Sequence, residues 1–188
     1  MNIYTKNGDQ GNSTLINGKQ IPKYDERFHL LGSIDELTSQ IGMVKIKSDH
    51  RLQANLTHIQ KLLMTIMASV ADTTNPDYLL DETEVTWLEQ QIDQIEQSFP
   101  RKKEFILPGE TELSTRLDVA RTVCLCCSNR YGCRPGSDFE GYPRSRGISR
   151  SVTHHRLRSV YQPRFEGHRE IKNLFEFLIR LEFLSKRL

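Results

Sequence analysis

The sequence predicts an all-α protein, an antiparallel helical bundle that forms a single domain over residues 1–188. Four stretches before residue 124 place apolar residues three and four positions apart, which is the spacing of one helix face. The chain shows neither the strand-length alternation nor the βαβ rhythm of a sheet protein. The links between the periodic stretches are short, as they are between antiparallel neighbours in a bundle.

The first helix is predicted over residues 33–47, after a polar connector. Ser33 and Glu36 have the spacing of a capping box, in which two side chains satisfy backbone N–H groups at the start of a helix. Asp35 would then lie in the first turn, where the helix dipole favours a carboxylate. The apolar stripe of this helix consists of Ile34, Leu37, Ile41 and Val44.

Three further helices are predicted over residues 52–71, 83–99 and 111–123. The second carries a wide apolar stripe and ends at the turn residues 74–77. Asp81 can cap the third helix, with Glu84 at its third position, and Pro100 closes it. Thr111 opens the fourth.

The charge balance changes along the chain. Residues 1–129 contain 13 Lys and Arg and 18 Asp and Glu (net −5), whereas residues 130–188 contain 13 and 6 (net +7). A basic tail that binds nucleic acid is one interpretation of this split. A shift of reading frame between about Cys124 and Phe165 is the interpretation that we favour.

The regularity of the sequence divides it into four regions. They are an N-terminal loop and connector over 1–32, four helices over 33–124, an irregular Arg-rich segment over 125–170 and a terminal helix over 171–188. Residues 130–170 hold nine Arg, five Gly and three Pro with almost no apolar periodicity, which is unfavourable for a packed helix.

Residues 4–14 form a polar, glycine-bearing loop before any helical periodicity begins. Gly8 and Gly11 allow positive φ, so successive N–H groups can turn inward and bind an anion. Lys6 adds a positive charge, and Asp9 can hold a hydrated divalent cation. The loop therefore indicates phosphate binding, although it lacks the order of a Walker loop. The alternative is a poorly ordered polar tail.

Several other functional classes are disfavoured. Cys124, Cys126, Cys127 and Cys133 lack the paired C-x-x-C spacing of a metal cluster, and no residue is assigned as a metal ligand. No apolar run reaches the roughly 18 residues of a membrane span, and no signal peptide is visible, so a cytoplasmic protein is expected.

Three separated blocks of sequence together have the residue order of a known enzyme family. The family motifs are a T-K-x-G-D-x-G-x-T loop, a lysine and an arginine ahead of a G-x-[IV]-D-E-L-x-S-x-[IL]-G helix, and an F-I-L-P-G-G link before a helix containing A-R-T. The matching residues are Thr5, Lys6, Gly8, Asp9, Gly11 and Ser13; Lys23, Arg27 and Gly32 to Gly42; and Phe105 to Gly109 with Ala120 to Thr122. Over about residues 1–124 the chain thus resembles the trimeric ATP:cob(I)alamin adenosyltransferases of the propanediol-utilisation type.

The resemblance implies a five-helix bundle that assembles as a homotrimer, with active sites at the subunit interfaces. The residues that it assigns to the ATP site are Thr5, Lys6, Gly8, Asp9, Gly11, Ser13, Lys23 and Arg27. It implies that Asp35 pairs with Arg121 of a neighbouring subunit and that Phe105 lines the corrin site beside the lower axial ligand.

The family's chemistry explains these residue types. Cobalt(I) attacks the 5′ carbon of ATP and triphosphate leaves, so no protein nucleophile is needed. Lys6, Lys23 and Arg121 would stabilise charge on the triphosphate. Phe105 would exclude water and the lower ligand from cobalt, which eases reduction to cobalt(I). The implied substrates are ATP and cobalamin, with Mg²⁺, and a corrinoid reductase or a cobalamin-dependent enzyme is an implied partner.

The chain departs from the family after residue 124. Leu125 and Cys126 replace a pair of nucleotide-binding arginines, Ser128 replaces a glutamate, and Arg130 alone is retained as a phosphate contact. Glu110 replaces the second glycine of the P-G-G link. We therefore expect a truncated fourth helix and a degraded fifth. The functional alternatives are an inactive homologue that binds nucleotide or assembles with intact subunits, and a helical bundle with a basic tail for nucleic acid.

Overall fold

The computed structural model describes residue 6, residues 8–98 and residues 107–132, with side chains described as far as Cys127. Two short strands, β1 (Asn12–Thr14) and β2 (Gln20–Pro22), precede four helices: α1 (Glu26–Lys45), α2 (His50–Ala71), α3 (Glu82–Ser98) and α4 (Glu112–Gly132). The predicted helical bundle is confirmed for this part of the chain. The predictions for residues 133–188, including the terminal helix, lie outside the described residues.

The hydrophobic core is organised around α1, which packs against both α2 and α4. Ile34, Leu37 and Ile41 of α1 are completely buried, and they meet apolar residues of the other helices such as Leu63 and Leu117. Burying each such side chain contributes about 1.5–3 kcal/mol. Packing on two sides fixes the position of α1. Among the described residues, no helix has both the length and the apolar content that a membrane crossing requires.

Helix α1 begins seven residues earlier than predicted, and the predicted capping box at Ser33 is wrong. Asp25 is the N-cap, and its carboxylate accepts a hydrogen bond from the backbone N–H of Arg27. Leu30 is buried and extends the apolar stripe one turn upstream, so the helix is stabilised there as well. Ser33 lies inside the helix, where its hydroxyl donates to the carbonyl of His29 at 2.9 Å. Asp35 is consequently in the middle of α1 and not in a first turn.

Helices α2 and α3 lie close to their predicted positions. Asp49 caps α2 by accepting from the N–H of Leu52, and the predicted cap Asp81 accepts from the N–H of Thr83. Three polar pairs connect the two helices: Arg51 with Gln94, Asn55 with Gln91, and His58 with Glu84. Along these pairs the residue number rises in α2 while it falls in α3, as expected for antiparallel neighbours.

Helix α4 starts where predicted but does not stop at residue 124. Thr111 and Ser114 each accept a hydrogen bond from the other's backbone N–H, both at 3.0 Å, which caps the helix. The backbone remains helical to Gly132. Cys124 and Cys127 are fully buried in the core and continue the helical spacing of the apolar residues. A free cysteine packs as a small apolar residue, and for this reason the predicted truncation is wrong.

The predicted polar connector contains a small antiparallel hairpin. β1 pairs with β2, and Ser13 lies opposite Ile21. Leu15 and Ile21 are each only 5% exposed, so the hairpin has two buried apolar side chains of its own. The prediction of no strands fails here because three-residue strands are too short to produce a recognisable alternation.

Candidate active site

The loop before β1 turns back on itself at two points. The N–H of Asp9 donates to the carbonyl of Lys6 at 3.2 Å, and the N–H of Gly11 donates to the carbonyl of Gly8 at 3.3 Å. Lys6 and Gly11 have positive φ angles of 57° and 83°. Within the described residues, the N–H groups of Gly8 and Gln10 have no hydrogen-bond acceptor. Backbone N–H groups in a glycine-bearing turn of this kind can bind an anion.

The hairpin brings Lys23 onto this loop. Lys23 follows β2, and its backbone N–H donates to the carbonyl of Gly11 at 2.8 Å. A Cβ atom placed on Gly8 would lie only 3.0 Å from Nζ of Lys23. The ammonium group therefore lies directly against the glycine, and a side chain at position 8 would displace it. This contact brings together two of the predicted ATP-binding residues that are 15 positions apart.

Arg27 lies at the start of α1, with its guanidinium held by Asp25. Nε of Arg27 donates to Oδ1 of Asp25 at 2.8 Å, and Nη2 donates to Oδ2 at 2.9 Å. The side-chain hydrogen bonds from Arg27 hold the pKa of Asp25 below its usual value, despite partial burial that acts in the opposite direction. The sequence reasoning missed Asp25. The sequence does contain a signal for it, since aspartate is one of the preferred N-cap residues of a helix.

Asp9 and Ser13 occupy the same part of the molecule. Asp9 is exposed in the loop, whereas Ser13 is half-buried in β1. Among the described residues, no group of three or more His, Cys, Asp or Glu side chains could hold a metal ion without further ligands. One carboxylate on a loop that is predicted to bind phosphate does fit Mg²⁺, because this ion usually takes one or two carboxylates together with substrate phosphates.

Asp35 and Arg121 lie on separate helices of the same chain. The carboxylate of Asp35 is exposed and has no hydrogen bond or ion pair within the described residues. Arg121 is held by Asp118 of its own helix, with Nη2 at 2.5 Å and Nε at 3.1 Å from Oδ1. The predicted pairing between subunits involves a second chain, so it stays a prediction.

Other predicted site residues cannot be placed. Thr5 and Phe105 lie outside the described residues, and so does the side chain of Arg130, although its backbone belongs to α4. Leu125, at a position where the family motif has an arginine, is 39% exposed on α4.

A helical bundle with a glycine-bearing, cationic loop at its N-terminal end defines a class of protein that binds an anionic ligand beside a helical core. Residues 3–125 match the model of one such family, described as cobalamin adenosyltransferase. Because the match covers well over half of the 188 residues, the chain belongs to the cobalamin adenosyltransferase family.

Curated relatives agree with this family. A corrinoid adenosyltransferase from Citrobacter freundii is 37% identical over 127 residues, which are 64% of this chain and 72% of the relative. The corrinoid adenosyltransferase of Bacillus subtilis (strain 168) is 36% identical over 129 residues, 65% of this chain and 66% of the relative. These matches thus cover about two thirds to three quarters of the relatives' length.

Solved structures give the same result. One is a variant PduO-type ATP:corrinoid adenosyltransferase from Lactobacillus reuteri, complexed with cobalamin and ATP. It is 26% identical with a TM-score of 0.75, and the similarity covers 99% of this chain and 91% of that one. A second variant of the PduO-type enzyme from the same organism, complexed with ATP, is 29% identical with a TM-score of 0.73, covering 98% and 94%.

Proposed function

We propose that this protein transfers the 5′-deoxyadenosyl group of ATP to cob(I)alamin, which forms adenosylcobalamin and releases triphosphate. Membership of the family and the ATP and cobalamin complexes of its solved relatives support the proposal. The observation that carries it is the contact of the Lys23 ammonium with Gly8, because this contact places a positive charge on the glycine loop. We call Lys6, Gly8, Gln10 and Lys23 together the cradle.

The triphosphate of ATP would bind in this cradle. The ammonium groups of Lys6 and Lys23 supply positive charge, and the N–H groups of Gly8 and Gln10 supply directional donors. Arg27 approaches from the start of α1, where the helix dipole also favours an anion. Its bonds to Asp25 fix the orientation of the guanidinium before ATP arrives, so less conformational entropy is lost on binding.

Mg²⁺ fits the same cradle. Asp9 would hold the ion, directly or through water, together with oxygens of the triphosphate. When bound, the ion would neutralise part of the negative charge on the phosphates. Asp9 is exposed on the loop and can approach a bound nucleotide without rearrangement of the core.

The transfer itself needs charge stabilisation more than protein nucleophiles. An electron pair of cobalt(I) forms the new bond to the 5′ carbon, while the bond from that carbon to oxygen breaks and its electron pair leaves with triphosphate. Lys6 and Lys23 would lower the free energy of the departing anion through their positive charge. Phe105 is proposed to line the corrin face, on the strength of the family motif alone.

The family motif also supports assembly as a homotrimer, in which Asp35 pairs with Arg121 of a neighbouring subunit. A cytoplasmic location fits an enzyme that consumes ATP. A corrinoid reductase, which supplies cobalt(I), or a cobalamin-dependent enzyme, which uses the product, is the proposed protein partner.

A second candidate function is that of a nucleotide-binding homologue without turnover. Leu125 favours it, because an exposed leucine on α4 replaces an arginine that reaches the nucleotide in the family motif. Such a protein would bind ATP in the same cradle without catalysing the transfer.

Adenosylation of chemically reduced cobalamin by the purified protein tests the proposal. We expect formation of adenosylcobalamin that depends on ATP and on Mg²⁺, measured by the change in the corrinoid absorption spectrum. Lys6→Ala should weaken ATP binding by about tenfold to a hundredfold, as expected for loss of one charged hydrogen bond.

Lys61→Ala is a matched control, because Lys61 is an exposed lysine on α2 outside the cradle. It should leave the ATP affinity unchanged. ATP binding without product would favour the homologue without turnover. A protein that does not bind ATP would contradict both candidates.

A further inference from the structure

Tyr24 is the most exposed of the large apolar and aromatic side chains in the described part of the chain, at 80%. Tyrosine normally buries much of its ring and finds a partner for its hydroxyl. Here the ring has no aromatic neighbour, and the hydroxyl has no hydrogen bond, among the described residues. Packing within the described part of the chain therefore does not explain this side chain.

Tyr24 lies in a turn that is part of the cradle. The N–H of Asp25 donates to the carbonyl of Pro22 at 3.0 Å, so Lys23 and Tyr24 are the two central residues of this turn. Lys23 is bonded through its backbone to Gly11, and Asp25 caps α1. The backbone on both sides of Tyr24 is consequently fixed, and the exposed ring follows directly after Lys23, whose ammonium lies against Gly8.

We infer that the ring of Tyr24 binds the adenine base of ATP by stacking, which makes it the base subsite of the nucleotide site. This inference rests on the proposed ATP binding by the cradle. A purine offers a flat π-face, and a rigid aromatic side chain binds such a face at a small cost in conformational entropy. The cradle would hold the triphosphate, and Tyr24 would hold the other end of the same molecule.

Calorimetric titration of the full chain with two ligands, MgATP and magnesium tripolyphosphate, tests this assignment. Tripolyphosphate has the charge of the triphosphate without the base. Tyr24→Ala should weaken ATP binding by about tenfold, as expected for the loss of one stacked base. It should leave tripolyphosphate binding unchanged. Tyr24→Phe keeps the ring and should retain the ATP affinity.

Met64→Ala is the matched control, because Met64 is a 61% exposed side chain on α2. It should change neither affinity. Equal ATP affinity of the wild type and Tyr24→Ala would overturn the assignment while leaving the proposed function intact. Parallel losses for ATP and tripolyphosphate would also overturn it, since Tyr24 would then act on the turn. A wild-type protein that binds neither ligand would overturn the proposed function and this assignment together.

Discussion

Gly8 is the residue on which the geometry of the cradle depends most directly. It does not have a positive φ, so alanine can adopt its backbone conformation. The new Cβ would lie 3.0 Å from Nζ and 3.1 Å from Cε of Lys23, the far end of a flexible side chain. The ammonium would swing away at little cost to folding. Its position over the loop would nevertheless be lost.

We therefore expect Gly8→Ala to weaken MgATP binding by about tenfold, near the lower end of what one charged hydrogen bond contributes. The thermal unfolding midpoint should stay the same. Titration calorimetry and differential scanning calorimetry measure the two quantities. In a Lys23→Ala background the glycine substitution should have no further effect on ATP binding. Additive losses would show that Gly8 acts on the nucleotide independently of Lys23.

Asp25 has a structural role that is separable from its charge. Asp25→Ala removes both the N-cap and the partner of Arg27, and should lower the free energy of unfolding by about 1 kcal/mol at pH 7. Asp25→Asn retains a good cap and removes only the charge. Comparing both variants with the wild type by urea denaturation therefore separates the two contributions.

The charge contribution of Asp25 should depend on pH in a defined direction. The pKa of Asp25 is lowered in the folded protein, chiefly by the hydrogen bonds from Arg27. The pairing therefore stabilises the protein fully above the ordinary carboxyl pKa of about 3.9, and the stabilisation is lost as the pH falls through the lower folded-state pKa. The stability difference between the wild type and Asp25→Asn should be constant from about pH 7 to 5 and shrink toward pH 3. A difference that persists unchanged at pH 3 would contradict the assignment.

At the scale of single elements, the helices that were predicted well are those with an apolar stripe and a standard cap. α2 and α3 meet both conditions, with Asp49 and Asp81 as caps. The start of α1 was misplaced because Ser33 and Glu36 imitate a capping box inside a helix that Asp25 already caps. The end of α4 was misplaced because buried cysteines were not counted as apolar residues. In both cases the sequence contains more than one local signal for the end of a helix. Burial of apolar side chains in the core determines which signal is used.

The sequence predicts that α2 and α3 are neighbours, but it does not predict which side chains meet, because each contact joins residues far apart in the chain. His58 is its centre: Nε2 lies 2.6 Å from Oε2 of Glu84, and the imidazole meets the ring of Trp87 edge-on at 4.4 Å between centroids. The side chains of His58 and Glu84 are 42% and 28% exposed, so this contact is only partly open to solvent.

A double-mutant cycle with His58→Ala and Glu84→Ala should give a coupling free energy of about 0.5–1 kcal/mol, at the upper end for partly exposed pairs. Trp87 is the single tryptophan, so its fluorescence reports denaturation at this contact. The matched control is Lys47 with Glu112, a pair that is more exposed on both sides and should show no measurable coupling. Equal coupling in the two cycles would mean that burial does not strengthen the His58 contact.

At the scale of the whole molecule, the sequence specified the N-terminal site better than the assembly. The residues proposed to bind ATP lie close together in sequence on either side of one hairpin, so their motif forms two recognisable blocks. Asp35 and Arg121 lie on different helices, and their predicted partners belong to another subunit. No local pattern can report such a contact, and only the family motif supplied it.

The side chains of Asp35 and Arg121 have different surroundings within their own chain. The carboxylate of Asp35 is exposed and has no partner in the described part of its own chain. Arg121 is already oriented by Asp118, which uses Nε and Nη2 of the guanidinium. A guanidinium carries five N–H donors, so it can bind a second carboxylate while it keeps the first. Asp118 would then act as the group that positions Arg121 for its neighbour.

Arg121→Ala should accordingly shift the proposed trimer to smaller species and lower the activity, because it removes the proposed partner of Asp35. Light scattering coupled to size-exclusion chromatography measures the first effect at several protein concentrations. Arg116 provides the control, since it lies on the same helix and is held in the same way by Glu112. Arg116→Ala should remain trimeric. Exchanging the charges, with Asp35→Arg and Arg121→Asp in one chain, should restore part of the assembly that either change alone removes. A fully trimeric Arg121→Ala protein would show that Asp35 and Arg121 do not hold the subunits together.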